Sequence, residues 1–309
     1  MKVLIAGGSG FLGRAIAADL LGAGHEVGIL TRAPALPKGV DSRVKHIQWS
    51  NPEAGIDPRL LAGADAIINL AGESLGAGRW TKTRKDRMFA SRIETTRHLV
   101  AAIAQAEPRP KVMINASAVG YYGPHGDEEV TEAAQPGGDF LSIICSHWED
   151  EAKKVLRSGV RLTILRMGVV LGQGADALAR MMMPFRLFVG GPVGSGRQVL
   201  SWIHLDDVTG IVRLAVENDG VSGPINATAP NPATNREFSA ILGRVMRRPS
   251  ILPVPGFVLR LILGEMADLV LSGQRVIPKR AIEYGYRFRY PELEPALRSV
   301  ITSSATNAK

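Results

Sequence analysis

The stretch that decides the fold is KVLIAGGSGFLGRAIAADLL at residues 2–21, in which an apolar run meets three spaced glycines and then an apolar helical pattern. Gly7 permits a tight turn after the strand, Gly10 lets the backbone approach a ligand closely, and Gly13 lets the helix pack against the strand. The N–H groups at the start of such a helix point at an anion. Directly after the first strand, this spacing predicts a turn that binds the pyrophosphate of a dinucleotide.

The end of the second predicted strand, residues 27–30, indicates which dinucleotide. An NAD-binding domain usually has Asp or Glu there, which accepts a hydrogen bond from the ribose 2′-hydroxyl. This chain has Thr31 and Arg32 instead. Arginine cannot accept that bond, but its fork of donors pairs with a 2′-phosphate. The sequence therefore predicts NADP as the cofactor, with an ordinary surface arginine at residue 32 as the alternative.

Strand and helix patterns alternate along the first two-thirds of the chain. Strands are predicted at residues 3–6, 27–30, 44–48, 66–70, 112–116 and 162–165, and helices at residues 11–23, 84–106 and 139–157. Several of the strands are almost entirely apolar, as in a parallel sheet covered on both faces. The alternation predicts an α/β fold with a Rossmann-type doubly wound parallel sheet.

After residue 168 glycine-rich loops interrupt this pattern. The predicted elements there are a helix at residues 176–188, a strand at 199–203, a helix from Asp206, a loop at 224–232 and a helix at 235–246. We predict an NADP-binding Rossmann domain over residues 1–230, with residues 168–205 contributing to a smaller C-terminal α/β substrate region. Residues 231–309 are predicted to form a small, mostly helical C-terminal domain.

The net charge of +8 indicates a solvated basic surface, and a local positive field that favours an anionic ligand fits equally well. The basic residues are scattered along the sequence in short pairs such as Arg247-Arg248, so a nucleic-acid-binding protein is not indicated. The most apolar later stretches, residues 181–196 and 256–264, are interrupted by arginine and are too short to span a membrane. We therefore expect a small-molecule substrate, with no nucleic-acid and no membrane partner.

Cysteine usage and the N-terminus bear on the compartment. Cys145 is the single cysteine, which excludes an intrachain disulfide and a cysteine-rich metal site. The chain runs from Met1 and Lys2 straight into a strand, without a signal-peptide cleavage pattern. These features predict a cytoplasmic protein. No pair of Asp, Glu or His has metal-ligand spacing, so no metal is predicted.

Longer motifs resemble the extended short-chain dehydrogenase/reductase superfamily, and within it the branch called "epimerase family protein", which has a small C-terminal domain. The match is carried by GGSGFLG at residues 7–13, INLAGE at 68–73, GRW at 78–80, SRIETT at 91–96, ASAVGYYG at 116–123, LRMGVVLG at 165–172, WIHLDD at 202–207 and LGEMADLVLSGQRVIPK at 263–279. The resemblance implies a Rossmann core, a bound NADP, and an oxidoreductase or nucleotide-sugar-epimerase-like activity on an unidentified small molecule.

The resemblance also implies which residues contact the cofactor. Carried over to this chain, they are Gly7, Ser9, Gly10, Phe11, Leu12, Gly13, Thr31, Arg32, Leu70, Ala71, Gly72, Glu73, Arg92, Ser117 and Arg166. Among these, Arg166 is also a candidate for binding an anionic group of the substrate. For Glu73 and Arg92 a position on the solvated surface is the alternative.

Catalysis in this superfamily usually depends on a Ser, a Tyr and a Lys four residues after the Tyr, whose charge lowers the tyrosine pKa. Ser117 fits the serine position at the end of the fifth strand. At the position expected for Tyr-x-x-x-Lys the chain has Phe140 and Ile144, which exchange no proton. Tyr121 and Tyr122 are the remaining candidate proton donors, although burial of one of them is an alternative.

The missing pair leaves two functions open. The first is an NADP-dependent oxidoreductase or epimerase-like enzyme in which Ser117 orients the substrate. The second is a non-catalytic NADP-binding sensor or regulatory protein, since some relatives carry names that suggest a role in cell division. A core position for the thiol of Cys145 and a structural hydrogen bond for His204 are the expectations for these two side chains.

Overall fold

The computed structural model describes residues 1–49, 55–76 and 78–306, with side chains described up to residue 302. The strands, in chain order, are β1 (Lys2–Ala6), β2 (Glu26–Thr31), β3 (Lys45–Gln48), β4 (Ala66–Asn69), β5 (Val112–Ala118), β6 (Glu129–Val130), β7 (Arg161–Met167), β8 (Val169–Leu171), β9 (Val199–Leu200), β10 (Trp202–His204), β11 (Gly223–Ala227), β12 (Ala233–Thr234) and β13 (Arg275–Val276). The α-helices are α1 (Phe11–Gly22), α2 (Lys82–Gln105), α3 (Phe140–Lys153), α4 (Asp176–Arg186), α5 (Leu205–Glu217), α6 (Asn235–Met246), α7 (Gly256–Leu263), α8 (Asp268–Leu271), α9 (Lys279–Glu283) and α10 (Leu293–Thr306).

Seven of the strands form one parallel sheet in the order β11-β7-β5-β4-β1-β2-β3. In its centre Val3 of β1 lies opposite Val27 of β2 on one side and Ala66 of β4 on the other. The chain order reverses between β1 and β4, and open α/β sheets bind ligands in the crevice at such a point, beyond the carboxyl ends of the strands. The predicted Rossmann-type doubly wound sheet is therefore confirmed.

Helices cover both faces of this sheet, which explains why β1 is apolar from Val3 to Ala6. Ile5 shares a core with Ile16 of α1 and Ile211 of α5, whereas the preceding residue, Leu4, shares the opposite core with Leu99 of α2. Alternate side chains of one strand thus enter different cores, and neither face meets water. α2, with 24 residues, is long but mostly polar, and in the described parts of the chain no helix has the length and apolarity needed to cross a bilayer.

Three predicted elements differ in the structure. The loop predicted at residues 224–232 is wrong, because Gly223–Ala227 form β11 at the edge of the main sheet, paired with β7. The strand predicted at 199–203 divides into β9 and β10. The helix predicted at 139–157 becomes 3₁₀ from Lys154 onward.

A further core joins the segment after β7 to the C-terminal part of the chain. Leu171 of β8 and Trp202 of β10 are buried together with Phe238 and Leu242 of α6 and Leu297 of α10. Residues 171 and 202 therefore pack with residues beyond 230, and a role of this region in binding substrate stays a prediction. The boundary at residue 230 stays a prediction, and residues 307–309 of the predicted C-terminal domain lie outside the described residues.

Candidate cofactor and active site

Between the end of β1 and the first turn of α1, the space around the glycine Cα atoms is open at Gly10 and closed at Gly7 and Gly13. Gly7 has a φ of +76°, and a Cβ placed on it would lie 2.9 Å from backbone atoms of Leu70 and Ala71. A Cβ on Gly13 would lie 2.4 Å from the Cα of Gly8, so α1 packs directly on the turn. A Cβ on Gly10 would have only the Gly7 carbonyl oxygen nearby, at an ordinary 3.5 Å. Gly7 and Gly13 thus serve the packing of the turn, and Gly10 keeps the space before the helix open.

The start of α1 has the properties of an anion site. Gly10 is the N-cap residue, so no side-chain oxygen occupies the N–H groups of the first turn, and no acidic residue lies in that turn. These N–H groups and the positive end of the helix dipole favour a negatively charged ligand. Ser9, Phe11 and Leu12 lie half-buried around the same opening. The donor set fits a pyrophosphate held by backbone amides.

Arg32 lies exposed directly after β2, the strand that pairs with β1. Thr31 ends that strand, and its Oγ1 accepts a hydrogen bond of 3.2 Å from the Ala33 N–H. Since the two strands are parallel, Arg32 and the glycine turn lie at the same edge of the sheet. A guanidinium there can pair with a phosphate on the adenosine ribose.

The segment after β4 lies beside the glycine turn. The Leu70 N–H donates to the Ala6 carbonyl at 2.9 Å, and the Ala71 N–H donates to the Asn69 side chain at 3.2 Å. This segment therefore continues β4 along β1, and the steric contact between Gly7 and residues 70–71 shows that the two are adjacent.

Arg92 of α2 contacts the other end of that segment. Its Nη2 donates to the Glu73 carbonyl at 3.0 Å, and its Nη1 donates to the Met88 carbonyl at 3.0 Å. A Cβ on Gly72 would lie 3.1 Å from the Arg92 Cζ. Burial lowers the pKa of Arg92. The structure thus brings Arg92, Gly72 and Glu73 together and holds the guanidinium on backbone carbonyls.

Two buried asparagines were not foreseen from the sequence. Asn69 Nδ2 donates to Asn115 Oδ1 at 2.7 Å and to Thr96 Oγ1 at 2.8 Å, and the Trp148 indole donates to the same Thr96 oxygen at 2.9 Å. These bonds fix the ends of β4 and β5 to α2 and α3. A signal was present, because each asparagine interrupts an otherwise apolar strand at a position where the strands pair.

Ser117, at the end of β5, donates its proton inside the protein. Its Oγ is 2.8 Å from Oε1 of Glu149, a fully buried carboxylate on α3. Arg166 of β7 pairs with that carboxylate through Nε at 2.9 Å and Nη2 at 2.8 Å. Glu149 thus accepts hydrogen bonds from both Ser117 and Arg166. A ligand would therefore meet the lone pairs of the Ser117 oxygen, not its proton.

Arg166 and Tyr122 are bonded to each other within the same network. Arg166 Nη1 donates to the Tyr122 oxygen at 2.9 Å, and the Tyr122 hydroxyl donates to Asn226 Oδ1 at 2.6 Å. Burial raises the pKa of Tyr122 to about 12. The polar atoms of both side chains are thus bonded inside the protein, and the roles expected for Tyr122 as proton donor and for Arg166 as a contact for the cofactor or an anionic substrate stay predictions.

Tyr121 is the other tyrosine of the pair and has a different environment. Its ring lies 3.5 Å from the Arg166 Cζ and meets the Tyr122 ring edge-on at 5.3 Å between centroids. Among the described residues, none forms a hydrogen bond with its hydroxyl. Tyr121 is itself buried, with 9% of its surface exposed, so it differs from Tyr122 in the lack of a partner for its hydroxyl within the described part of the chain.

The position of the missing Tyr-x-x-x-Lys is occupied by apolar side chains and approached by a cation from another helix. Phe140 packs against the Trp80 ring at 5.4 Å, and the Lys85 amine of α2 lies 4.8 Å from the Phe140 ring centre. Lys85 also pairs with Glu265, beyond α7. Lys85 was missed in the sequence because its partners lie 55 and 180 residues away in the chain.

The other titratable candidates have structural positions. Cys145 is buried, and burial raises the pKa of its thiol to about 11. His204 is the N-cap of α5, where its Nδ1 accepts a bond of 3.1 Å from the Asp206 N–H. Within residues 1–49, 55–76 and 78–306, no group of His, Cys, Asp and Glu side chains could hold a metal ion.

Comparison with known proteins agrees with this geometry. Residues 3–227 match the family model "NAD dependent epimerase/dehydratase family", and residues 254–300 match "Domain of unknown function (DUF1731)". The chain is 41% identical to "Epimerase family protein YfhF" of Bacillus subtilis, over 99% of this chain and all of the relative. It is 38% identical to "Epimerase family protein SDR39U1" of Homo sapiens, over 97% of this chain and all of the relative.

Solved structures give the same assignment. The crystal structure of human SDR39U1 (isoform 2) with NADPH superimposes with a TM-score of 0.88 at 37% identity, covering 98% of this chain and 99% of the human one. UDP-glucose 4-epimerase from Thermotoga maritima, at 17% identity and a TM-score of 0.82 over the full length of both chains, shares the fold. With the glycine turn, the seven-stranded sheet and these matches, the chain belongs to the NAD-dependent epimerase/dehydratase family.

Proposed function

We propose that this chain binds NADPH and uses it as an oxidoreductase on a small molecule. The observation that carries the proposal is the open turn at Gly10 before the uncapped start of α1, with Arg32 exposed at the end of the adjacent strand. The NADPH in the 37% identical human structure supports NADP over NAD. A cytoplasmic location is part of the same proposal, and the single buried cysteine supports it.

Some residues of the candidate site would bind the cofactor, and others would contact the substrate. The N–H groups of Phe11 and Leu12 would hold the pyrophosphate, and Arg32 would pair with the 2′-phosphate. When bound, the nicotinamide supplies hydride chemistry to a carbon of the substrate. Ser117, whose proton is held by Glu149, would accept a hydrogen bond from a hydroxyl next to the reacting carbonyl, and the Tyr121 phenol would donate the proton that the carbonyl oxygen takes up.

Replacing Arg32 with Glu tests the cofactor choice. A charge-assisted bond to a phosphate contributes about 1.5–3 kcal/mol, so the R32E variant should bind NADPH about 10- to 100-fold more weakly while NADH binding changes little. Calorimetry on ligand-stripped protein measures both affinities. Lys38→Glu, which makes the same charge change at another exposed residue after β2, is the control and should leave the preference intact. Equal loss of NADPH and NADH in R32E would show that Arg32 does not read the phosphate.

A non-catalytic NADP-binding sensor or regulator is the second candidate function. Phe140 and Ile144 at the usual Tyr and Lys positions, together with the internally bonded Tyr122, favour it. The two candidates separate when purified protein and NADPH are mixed with a panel of carbonyl compounds and the nicotinamide absorbance is followed. Turnover that falls in Ser117→Ala supports the enzyme. Tight NADPH binding without turnover on any compound supports the sensor.

A further inference from the structure

The basic charge that is scattered in the sequence is gathered in the fold. Residues 177–193 and 244–264 contain six arginines and no lysine, aspartate or glutamate. The formal charge of these two segments is therefore +6, and that of the whole chain is +8. The arginines are Arg180, Arg186, Arg244, Arg247, Arg248 and Arg260. Arg244 pairs with Glu294 and Arg260 with Asp268, while the other four have no ion pair among the described residues. Most of the positive excess thus belongs to two segments.

These two segments lie side by side in space. The Leu252 N–H donates to the Gly190 carbonyl at 3.1 Å, and the Val254 N–H donates to the Pro192 carbonyl at 2.9 Å. The Arg248 guanidinium lies 4.4 Å from the centre of the Phe188 ring. The two segments therefore adjoin at residues 188–192 and 248–254, and together residues 177–193 and 244–264 are here called the basic-apolar surface.

The same surface exposes large apolar side chains. α7 has the sequence GFVLRLIL, yet none of its residues is buried, and Phe257 and Leu261, one turn apart, are 72% and 75% exposed. The other exposed apolar residues of the surface are Met183, Leu187, Phe188, Val189, Ile251, Leu252 and Ile262. Apolar exposure of this extent marks an interaction site on a soluble protein.

We propose that the basic-apolar surface docks on a membrane surface that contains anionic lipid. Arginines attract anionic headgroups, and exposed Phe, Leu and Ile side chains enter the boundary between headgroups and acyl chains. A second copy of the chain is a poorer occupant, since a symmetric contact would place six arginines against six. The sequence-based expectation of no membrane partner depended on the lack of a spanning segment, which a docking surface does not need.

Vesicle co-sedimentation of the full chain tests the proposal. We expect the protein to pellet with vesicles of phosphatidylcholine mixed with phosphatidylserine but not with phosphatidylcholine alone, and to be released as salt rises. Each arginine near an anionic surface contributes about 1 kcal/mol, or about fivefold, so R186Q/R248Q should lower the partition coefficient about 25-fold. F257S/L261S should lower it as well, because it removes the apolar contribution.

Matched variants elsewhere on the molecule are the controls. R109Q/R157Q removes two exposed arginines and L156S removes an exposed leucine, all outside the surface, and each should pellet like the wild type. NADPH binding confirms that every variant is folded. The proposal is overturned if neutral vesicles bind equally, if no vesicle binds, or if controls and surface variants lose the same affinity. It is also overturned if light scattering shows a dimer that F257S/L261S dissociates, since the surface would then be an interface between copies.

Discussion

Gly13 and Gly22 belong to the same helix but differ in what surrounds their Cα atoms. A Cβ on Gly13 would lie 2.4 Å from the Gly8 Cα, whereas a Cβ on Gly22 would have nothing within 4 Å. We therefore expect Gly13→Ala to lower the free energy of unfolding by about 1–3 kcal/mol and to weaken NADPH binding, because the turn must shift. Gly22→Ala should leave binding unchanged and raise stability by up to about 1 kcal/mol.

Urea denaturation and calorimetry on the two variants measure these effects. The pair separates crowding at the turn from the general effect of replacing a helical glycine. If both alanines changed stability and NADPH affinity in the same way, close packing of α1 on the turn would not be the reason for glycine at residue 13.

The role of a single residue was predictable from the sequence where it depends only on neighbouring residues in the chain. The spacing of Gly7, Gly10 and Gly13 follows from one turn and one helix, so it was readable. The two tyrosines were not separable, because the Tyr122 hydroxyl bonds to Asn226, 104 residues later in the chain. Likewise, Ser117 was predicted as a site residue, but its partner Glu149 comes from another element, 32 residues away.

Among the elements, β11 shows why local sequence preference misled. Pro224 is its second residue, and proline usually indicates a loop because it has no N–H to donate. β11 is an edge strand, however, and the N–H of Asn226 points away from β7 and donates to Glu132 Oε1 at 3.0 Å. Residue 224 is two positions earlier and faces the same way, so its missing N–H removes no bond of the sheet. The strand tolerates this proline because β11 lies at the edge of the sheet, and the sequence alone does not show that position.

The ion pair between Glu149 of α3 and Arg166 of β7 joins two elements beneath the candidate active site. Both side chains are buried, at 0% and 5% exposure. Replacing Glu149 with Gln should therefore cost about 3–5 kcal/mol of stability, because it leaves the guanidinium charge buried without its partner. Asp150→Asn is the control on the same helix: its pair with Lys153 is exposed, and its loss should cost less than about 1 kcal/mol.

Chemical denaturation of both variants measures this difference. A similar loss of stability in E149Q and D150N would mean that the buried pair does not hold α3 on the sheet. Ser117→Ala, which removes only the hydroxyl that Glu149 accepts from, should lie between the two variants.

At the scale of the whole molecule, the parallel sheet was predictable because each strand and helix carries its own pattern of apolar residues. The neighbourhood of the two arginine-bearing segments was not, because they adjoin through the pairing of residues 190–192 with residues 252–254. The position of α7 has a similar origin: Arg79 donates to the carbonyls of Leu261 and Ile262 at the end of that helix. Contacts between distant segments thus determine the surface next to the proposed site, while local patterns determine the scaffold.

This division predicts an uneven distribution of local stability, which hydrogen exchange can measure. Opening α7 exposes little additional apolar area, since none of its residues is buried, whereas α6 buries Phe238 and Leu242 against neighbouring helices. The backbone amides of α7 should exchange about tenfold faster than those of α6, or more. Anionic vesicles should slow exchange in α7 and leave residues 235–243 of α6 unchanged, because that part of α6 lies outside the basic-apolar surface. Equal protection of the two helices without vesicles would contradict the assignment of α7 as the less stable element.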